Sequence, residues 1–242
     1  IPTKLLWFKE ISMENITTVN IRPAPALTAT EIQELNNQYE TAHPTEIITW
    51  AHHRFGSGLT LTTSFSDTLL IDLAIKVNPD LEVIFLDTGF HFAETLQTLR
   101  EAQKRYRINL RAIRPQPLAN DLWAAGSDQC CAQRKVEPLN QALANKTAWL
   151  SGLRRTDSPQ RAHTPIVEQD QRGLIKINPL AAWPEKDLTK YWEQNNILTN
   201  PLIAEGYPSI GCWPCTERPC ENEATRSGRW SGTDKTECGI HR

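Results

Sequence analysis

The chain reads as an α/β protein built on a parallel sheet, followed by a loop-rich, cysteine-containing C-terminal segment. Three observations predict this. Strand-like and helix-like stretches alternate from residue 59 to residue 195, the order that strand–helix–strand units with right-handed crossovers produce. The stretch 81–86 is a near-continuous apolar run, as expected of a strand buried on both faces of a parallel sheet. From Asn200 onward Pro, Gly, Cys, Arg and polar residues dominate and little periodicity survives. A chain of 242 residues is long enough for one substantial domain with an appended segment.

The elements follow in order. Residues 27–53 are predicted to be largely helical, capped by Thr28 or Thr30 with Glu31 and Glu34 in the first turn. Pro44 interrupts that helix, and a second one runs over 45–53. Leu59–Ser64 is β-rich and ends in small polar residues. In 67–77 Leu69, Leu70, Leu73, Ala74 and Val77 recur at helical spacing. The strand 81–86 leads into Asp87-Thr88-Gly89, a helix follows over 92–106, and 109–113 is a strand closed by Pro115 and Pro117. Residues 136–144 are predicted helical, 148–152 and 174–177 strands, and 184–195 a helix with Pro184 at its start.

Composition removes several function classes. The formal charge is −2, so no global basic field points to nucleic acid or to an anionic membrane. No apolar run approaches the roughly 18 residues a membrane helix needs. The opening residues carry only the short apolar patch 5–8 and no secretory h-region. The single methionine is Met13, so residues 1–12 read as an upstream extension. The six cysteines lie at 130, 131, 212, 215, 220 and 238; without a signal, such clusters in a reducing cytoplasm read as metal or redox sites rather than a disulfide framework. A cytoplasmic location is the expectation.

Four sites carry candidate chemistry. The first is Thr62-Thr63-Ser64-Phe65-Ser66-Asp67. Ligands of parallel sheets bind beyond the strands' carboxyl ends, and hydroxyls with backbone N–H groups ahead of a helix suit a phosphate; the plainer reading is a helix cap at Ser66 or Asp67. The second strand ends comparably at Leu86-Asp87-Thr88-Gly89, where Gly89 permits close backbone approach. Two such ends side by side favour a nucleotide crevice. The second site is Cys130-Cys131 with Cys212-x-x-Cys215, four thiolates able to hold zinc or a [4Fe–4S] cluster. Adjacent cysteines are unusual for structural zinc. Cys220 completes a Cys-x-x-Cys-x4-Cys pattern and reads as a spare thiol, with a substitute ligand as the alternative. The third is the basic set Lys135, Arg154, Arg155, Arg161, Arg226 and Arg229, suited to phosphate or sulfate where it is not solvated surface charge. The fourth is Thr236-Glu237-Cys238-Gly239-Ile240-His241, a Cys/His pair that forms an activated thiolate or, on the plainer reading, is incidental or metal-binding. The expected organisation is therefore an N-terminal extension over 1–26 outside the ordered fold, an α/β nucleotide-binding domain over 27–199, and a C-terminal segment over 200–242.

These pieces together resemble the cluster-containing assimilatory adenylylsulfate (APS) reductases of the PAPS reductase family. The resemblance spans residues 59–241 and rests on FLDTGFHFAET (85–95), CC-x-x-RK (130–135), SGLRR-x-D (151–157), NPLAAW (178–183), NPLI-x-EGYPSIGC-x-PC (200–215), SGRW (227–230) and TECGIH (236–241). It implies a fold of the adenine-nucleotide α-hydrolase kind. It implies that Cys130, Cys131, Cys212 and Cys215 ligate one [4Fe–4S] cluster per chain, and that Cys238 is the nucleophile. Ser64, Asp67, Leu86 and Gly89 would hold the nucleotide. Lys135, Arg161, Arg226, Arg229 and His241 would gather around the phosphosulfate; Arg154 and Arg155 are substrate-binding candidates because they follow the strand that ends at Gly152. The implied partners are APS and a thioredoxin-like dithiol protein, with no nucleic acid and no membrane; a homo-oligomer is left open. One departure is the loop Ser64–Asp67, about two residues shorter than the Ser-x-Gly-Ala-Glu-Asp form that the family often carries. The runner-up reading is a PAPS or dual-specific reductase. A reading from another class, a non-catalytic iron–sulfur nucleotide-binding regulator, leaves the TECGIH motif without a task.

Overall fold

The computed structural model describes residues 26–115, 124, 126–221 and 223–241; the expected extension over 1–26 therefore lies outside the described residues up to residue 25. The described chain opens with α1 (Ala29–Tyr39), where Thr28 and Glu31 form a reciprocal capping box, and α2 (Pro44–Phe55), with Pro44 in its first turn where a missing N–H costs nothing. The sheet elements are β1 (Leu59–Thr63), β2 (Glu82–Leu86), β3 (Asn109–Ile113), β4 (Ala148–Leu150), β5 (Val167–Gln169) and β6 (Ile175–Ile177). The helices α3 (Leu69–Val77), α4 (Ala93–Tyr106), α5 (Ser127–Cys131), α6 (Glu137–Leu143) and α7 (Glu185–Asn195) complete the set.

The strand order is β3-β2-β1-β4-β6-β5. Every pairing is parallel except β5 with β6. The sequence pattern did not reveal β5, which is short and partly polar; its place is set by register, with Glu168 directly opposite Lys176 and 2.8 Å from its Nζ. The central strands are buried on both faces: Leu61, Val83, Ile84, Phe85, Trp149, Leu150 and Ile177 are all within the core. From β1 the chain winds outward to β3, then returns to β4 and winds the other way. That reversal leaves a crevice at the carboxyl ends of β1 and β4, where ligands of open parallel sheets bind.

Periodicity gave the cysteine pair no element of its own, but Lys135, four residues past Cys131, stands at the spacing of a helical turn. Cys130 and Cys131 end α5, which continues through a wide π turn at 132–136 into α6. Pro138 explains the widening. A proline inside a helix removes one N–H and pushes against the carbonyl four residues earlier, here that of Arg134. Such π turns often mark functional sites, and this one carries Lys135.

Candidate active site at the carboxyl ends of the sheet

The loop after β1 makes its turn in four residues because Phe65 takes a left-handed conformation, φ 54°, which a bulky residue adopts only when its surroundings enforce it. They do. Phe65 is fully buried and packs edge-on against Phe85 at 5.3 Å. Its N–H donates to Thr63 Oγ1 at 3.2 Å, and the backbone N–H of Asn200 donates to Ser66 O at 3.0 Å. The Asn200 side chain donates to Thr95 Oγ1 at 3.0 Å. Asp67 accepts from the Leu69 N–H at 2.9 Å in the turn before α3; the N-cap position itself is Thr68 rather than Ser66 or Asp67. Burial pushes the Asp67 carboxyl up, and Arg154 partly offsets this.

Around this crevice lies a cleft of about 240 Å³. Its lining includes Ser64, Asp67, Leu86, Lys135, Arg154, Arg161, Arg226, Arg229, Cys238 and His241, ten of the residues singled out in the sequence and drawn from six segments. Ligand clefts of roughly 300–1,000 Å³ are usual; Glu237, Cys238, Ile240 and His241 of the C-terminal segment form part of the wall of this one.

Two predicted contacts lie off the lining. Arg155 turns outward to α1, where it pairs with Glu40 and donates to Thr164 O at 2.9 Å. Gly89, at φ 77°, turns the loop after β2; a side chain there would meet the Arg134 guanidinium at 3.6 Å. Arg134 in turn donates to Thr88 O at 2.9 Å and lies 4.6 Å from the Phe90 ring centre, so the strand-end loop is tied to the cysteine helix.

The four cysteines Cys130, Cys131, Cys212 and Cys215 are free and buried. Burial first, then the neighbouring thiols Cys131 and Cys212, raise Cys130. The same causes, with Cys212 ahead of Cys131, push Cys215 up to about 11. The two cysteine segments therefore face each other. The Cys212 segment is joined to the loop after β2 by a bridge to His91 and by the Trp213 N–H donating to Phe90 O at 2.8 Å. The buried Thr88 hydroxyl lies 3.3 Å from Cys212 Sγ. Trp230, packed with Cys212, Cys215 and Cys238, has a buried Nε1 without a hydrogen-bond partner among the described residues.

Cations converge on the same place. Burial opposes the charge of Lys135, yet the thiols of Cys212 and Cys238 hold its ammonium above its usual value. Arg229 is lowered by burial, with Cys238 the first of the groups offsetting this. Its guanidinium lies 4.5 Å from the Trp230 ring centre and fills the space beside Gly211 that any side chain there would need. Arg154 and Arg161 both pair with Asp157, at 3.0 and 2.9 Å.

Sequence reasoning missed the seat of the closing segment. The His241 ring stacks on Trp149 with centres 6.0 Å apart. Lys176 Nζ lies 3.4 Å from His241 O, and Arg172 Nη2 lies 3.4 Å from Ile240 O. Asp170 holds this seat by accepting from Trp149 Nε1 at 3.0 Å and from Arg172 at 2.8 Å. Nothing local in the sequence links β4, β6 and residue 241. His91 was also missed; its ring lies 4.6 Å from Phe85 with Nε2 2.9 Å from Leu86 O.

Comparisons with known proteins agree with this architecture. The phosphoadenosine phosphosulfate reductase domain family matches residues 59–218. The adenosine 5'-phosphosulfate reductase of Mycobacteroides abscessus is 42% identical over 213 residues, covering 84% of this chain and 90% of that protein. The enzyme of the same name from Mycobacterium tuberculosis is 46% identical over 190 residues, 75% of each chain. Among solved structures, the phosphate complex of phosphoadenylyl-sulfate reductase from Candida auris superposes with a TM-score of 0.71 at 29% identity, covering 80% of this chain and all of that one. The FMN adenylyltransferase of Candida glabrata shares the fold alone, with a TM-score of 0.55 at 15% identity over 88% of this chain and 81% of that one. The strand-end cleft, the paired cysteine segments and the extent of these matches together establish that the chain belongs to the phosphoadenosine phosphosulfate reductase domain family.

Proposed function

We propose that this chain is an oxidoreductase that reduces APS to sulfite and AMP in assimilatory sulfate reduction, using Cys238 as nucleophile and a thioredoxin-like dithiol protein as reductant. The observation that carries this reading is the position of Cys238 in a cleft where strand-end hydroxyls meet Lys135, Arg161, Arg226 and Arg229. The names of the curated relatives point to APS rather than PAPS.

The chemistry follows from the residues. Ser64, Asp67, Leu86 and Arg154 hold the nucleotide at the strand ends. The Cys238 thiolate attacks the sulfur of the phosphosulfate; an S–S bond forms as the bond from sulfur to the AMP oxygen breaks, and AMP leaves with that electron pair. Negative charge builds on the bridging oxygen in the transition state, and fixed guanidinium and ammonium groups stabilise it there more than in the ground state. Lys135 and Arg229 both face Cys238, so the sulfur attacks beside fixed positive charge. The His241 ring is stacked on Trp149. A thiol of the reductant then attacks Cys238 Sγ and sulfite leaves. Its second thiol resolves the mixed disulfide and restores Cys238, with two electrons delivered.

Cys130, Cys131, Cys212 and Cys215 are the proposed ligands of a [4Fe–4S] cluster. Their donor chemistry supports it, as do their burial and the hydrogen-bond donors Thr88 and Trp230 beside them. Among the described residues no three such side chains converge on a point where a single ion would sit. When bound, the cluster supplies a fixed local field beside Lys135 and Cys238. No helix among the described residues is long and apolar enough to cross a membrane.

Intact-mass analysis of anaerobically prepared protein tests the reading. Mixing with APS should add one sulfonate, mapped to Cys238 and lost on adding reduced thioredoxin. The same adduct with PAPS alone overturns the choice of substrate. No adduct with either nucleotide, in cluster-loaded protein, overturns the enzyme reading in favour of a nucleotide-binding regulator.

A further inference from the structure

The residue just before the nucleophile has a place that the reaction above does not use. Glu237 reaches into the cleft and meets Arg161 in a two-pronged pair, Nε to Oε1 at 2.7 Å and Nη2 to Oε2 at 2.9 Å. Arg226 Nη2 adds a third contact at 3.2 Å to Oε2 and donates to Thr236 O at 3.0 Å. Asp157 already holds Nη1 of Arg161 at 2.9 Å. The Nε–Nη2 edge is thus the one left for an anion in the cleft, and Glu237 covers it. A planar guanidinium edge accepts carboxylate, phosphate and sulfate oxygens with the same geometry.

We propose that Glu237 is a stand-in for the substrate's anion: its carboxylate occupies the Arg161–Arg226 pair in the ligand-free protein and is exchanged for the phosphosulfate group when the nucleotide binds. This rests on the reading of the cleft as the phosphosulfate site. The charge balance favours exchange. Glu237 is faced by Arg161, Arg226 and Arg229, and even with Asp157 on Arg161 the carboxylates are fewer than the guanidiniums. Burial, then the neighbouring Arg161, pushes Arg226 down to about 10 even with Glu237 in place. A doubly charged group meets that deficit better than a single carboxylate does.

The geometry also couples the exchange to the nucleophile. The closing segment stands on two legs. One is Glu237 on the arginine pair. The other is Ile240, packed against the Ile84, Leu139 and Trp149 cluster, with His241 stacked on Trp149. Cys238 lies between them. An arriving anion releases only the first leg, so Cys238 gains freedom when a nucleotide is present and stays tethered to the sheet by the second. Glu237 is thereby a positioning residue for Cys238.

The test measures binding by calorimetry in cluster-loaded Cys238→Ser protein, which has no nucleophile to consume substrate. APS and adenosine, which lacks the anion, are titrated into protein with Glu237 intact and into the Glu237→Gln variant. The Gln variant should bind APS about tenfold tighter, ~1.4 kcal/mol, with adenosine affinity unchanged. Unchanged or weaker APS binding overturns the proposal. So does equal tightening for both ligands, because Glu237 would then be part of a steric lid rather than an anion's substitute. Arg226→Ala in the same background separates the two readings. If it leaves APS affinity unchanged, the phosphosulfate site itself is misassigned and the proposal falls with it.

Discussion

Between residues 59 and 195 the chain is held by apolar side chains such as Leu61, Val83, Phe85 and Leu150, shut away from water on both faces of the sheet. From residue 200 on, directed polar contacts do much of that work: Glu237 on Arg161 and Arg226, Lys235 on Asp128 at 2.7 Å, and the backbone of 240–241 on Arg172 and Lys176. Apolar burial is worth roughly 25 cal/mol per Å² and has no direction, so it fixes the strand ends permanently. An ion pair can be exchanged for another charged partner of the same geometry, so a segment held by several of them can leave and return. The reaction needs that division of labour. The nucleotide must find a rigid crevice, whereas Cys238 must first meet the bound sulfur and then present its adduct to a second protein.

The largest effect expected is on chemistry without an effect on the fold. Cys238→Ser should lower turnover by roughly 10⁴-fold or more and move the melting temperature by no more than about 2 °C. A melting temperature that falls much further would mean that the closing segment belongs to the cooperative core, and the contrast drawn above would fail. The converse substitution is Phe85→Ala in β2. It empties a site packed by Phe65 and His91 and should cost about 3–5 kcal/mol in urea denaturation. A loss below about 1 kcal/mol would show that the strand ends are not rigid in the sense argued.

The smallest effect is on the grip of the segment. Burial first, then Lys176, Arg161, Arg226 and Arg172, holds His241 well below its usual value of 6.5. The docked ring is therefore neutral where the released ring takes up a proton. Docking is fully present above pH 6.5 and weakens as pH falls below it, by at most ~1.4 kcal/mol per pH unit. Deuterium uptake at 236–241, corrected for intrinsic exchange, should rise between pH about 7.5 and about 5.5. The rise should vanish in His241→Phe. Uptake that is flat with pH in the parent protein would place the hold elsewhere.

Much of this was legible before folding. Periodicity located the main helices and all of the parallel strands, because burial on a helix face or in a strand is a property of neighbours in sequence. The capping box at Thr28 was readable for the same reason. The π turn was not, since it follows from a proline acting on a helix whose first half carries no strong periodicity. β5 was not, since its pairing depends on Lys176 across the sheet. Arg154 and Arg155 look equivalent in sequence, yet one enters the cleft beside Asp67 and the other pairs with Glu40.

The sequence by itself determined the α/β class, the alternation that makes the sheet parallel, the residue types able to bind an anion and ligate a cluster, and the resemblance that named their chemistry. Only the tertiary structure decided which of those residues meet. Arg161 and Glu237 stand 76 positions apart, and Thr88 and Cys212 stand 124 apart. Contacts over such separations arise when the packed sheet sets the exit direction of each loop, and no local pattern records that direction.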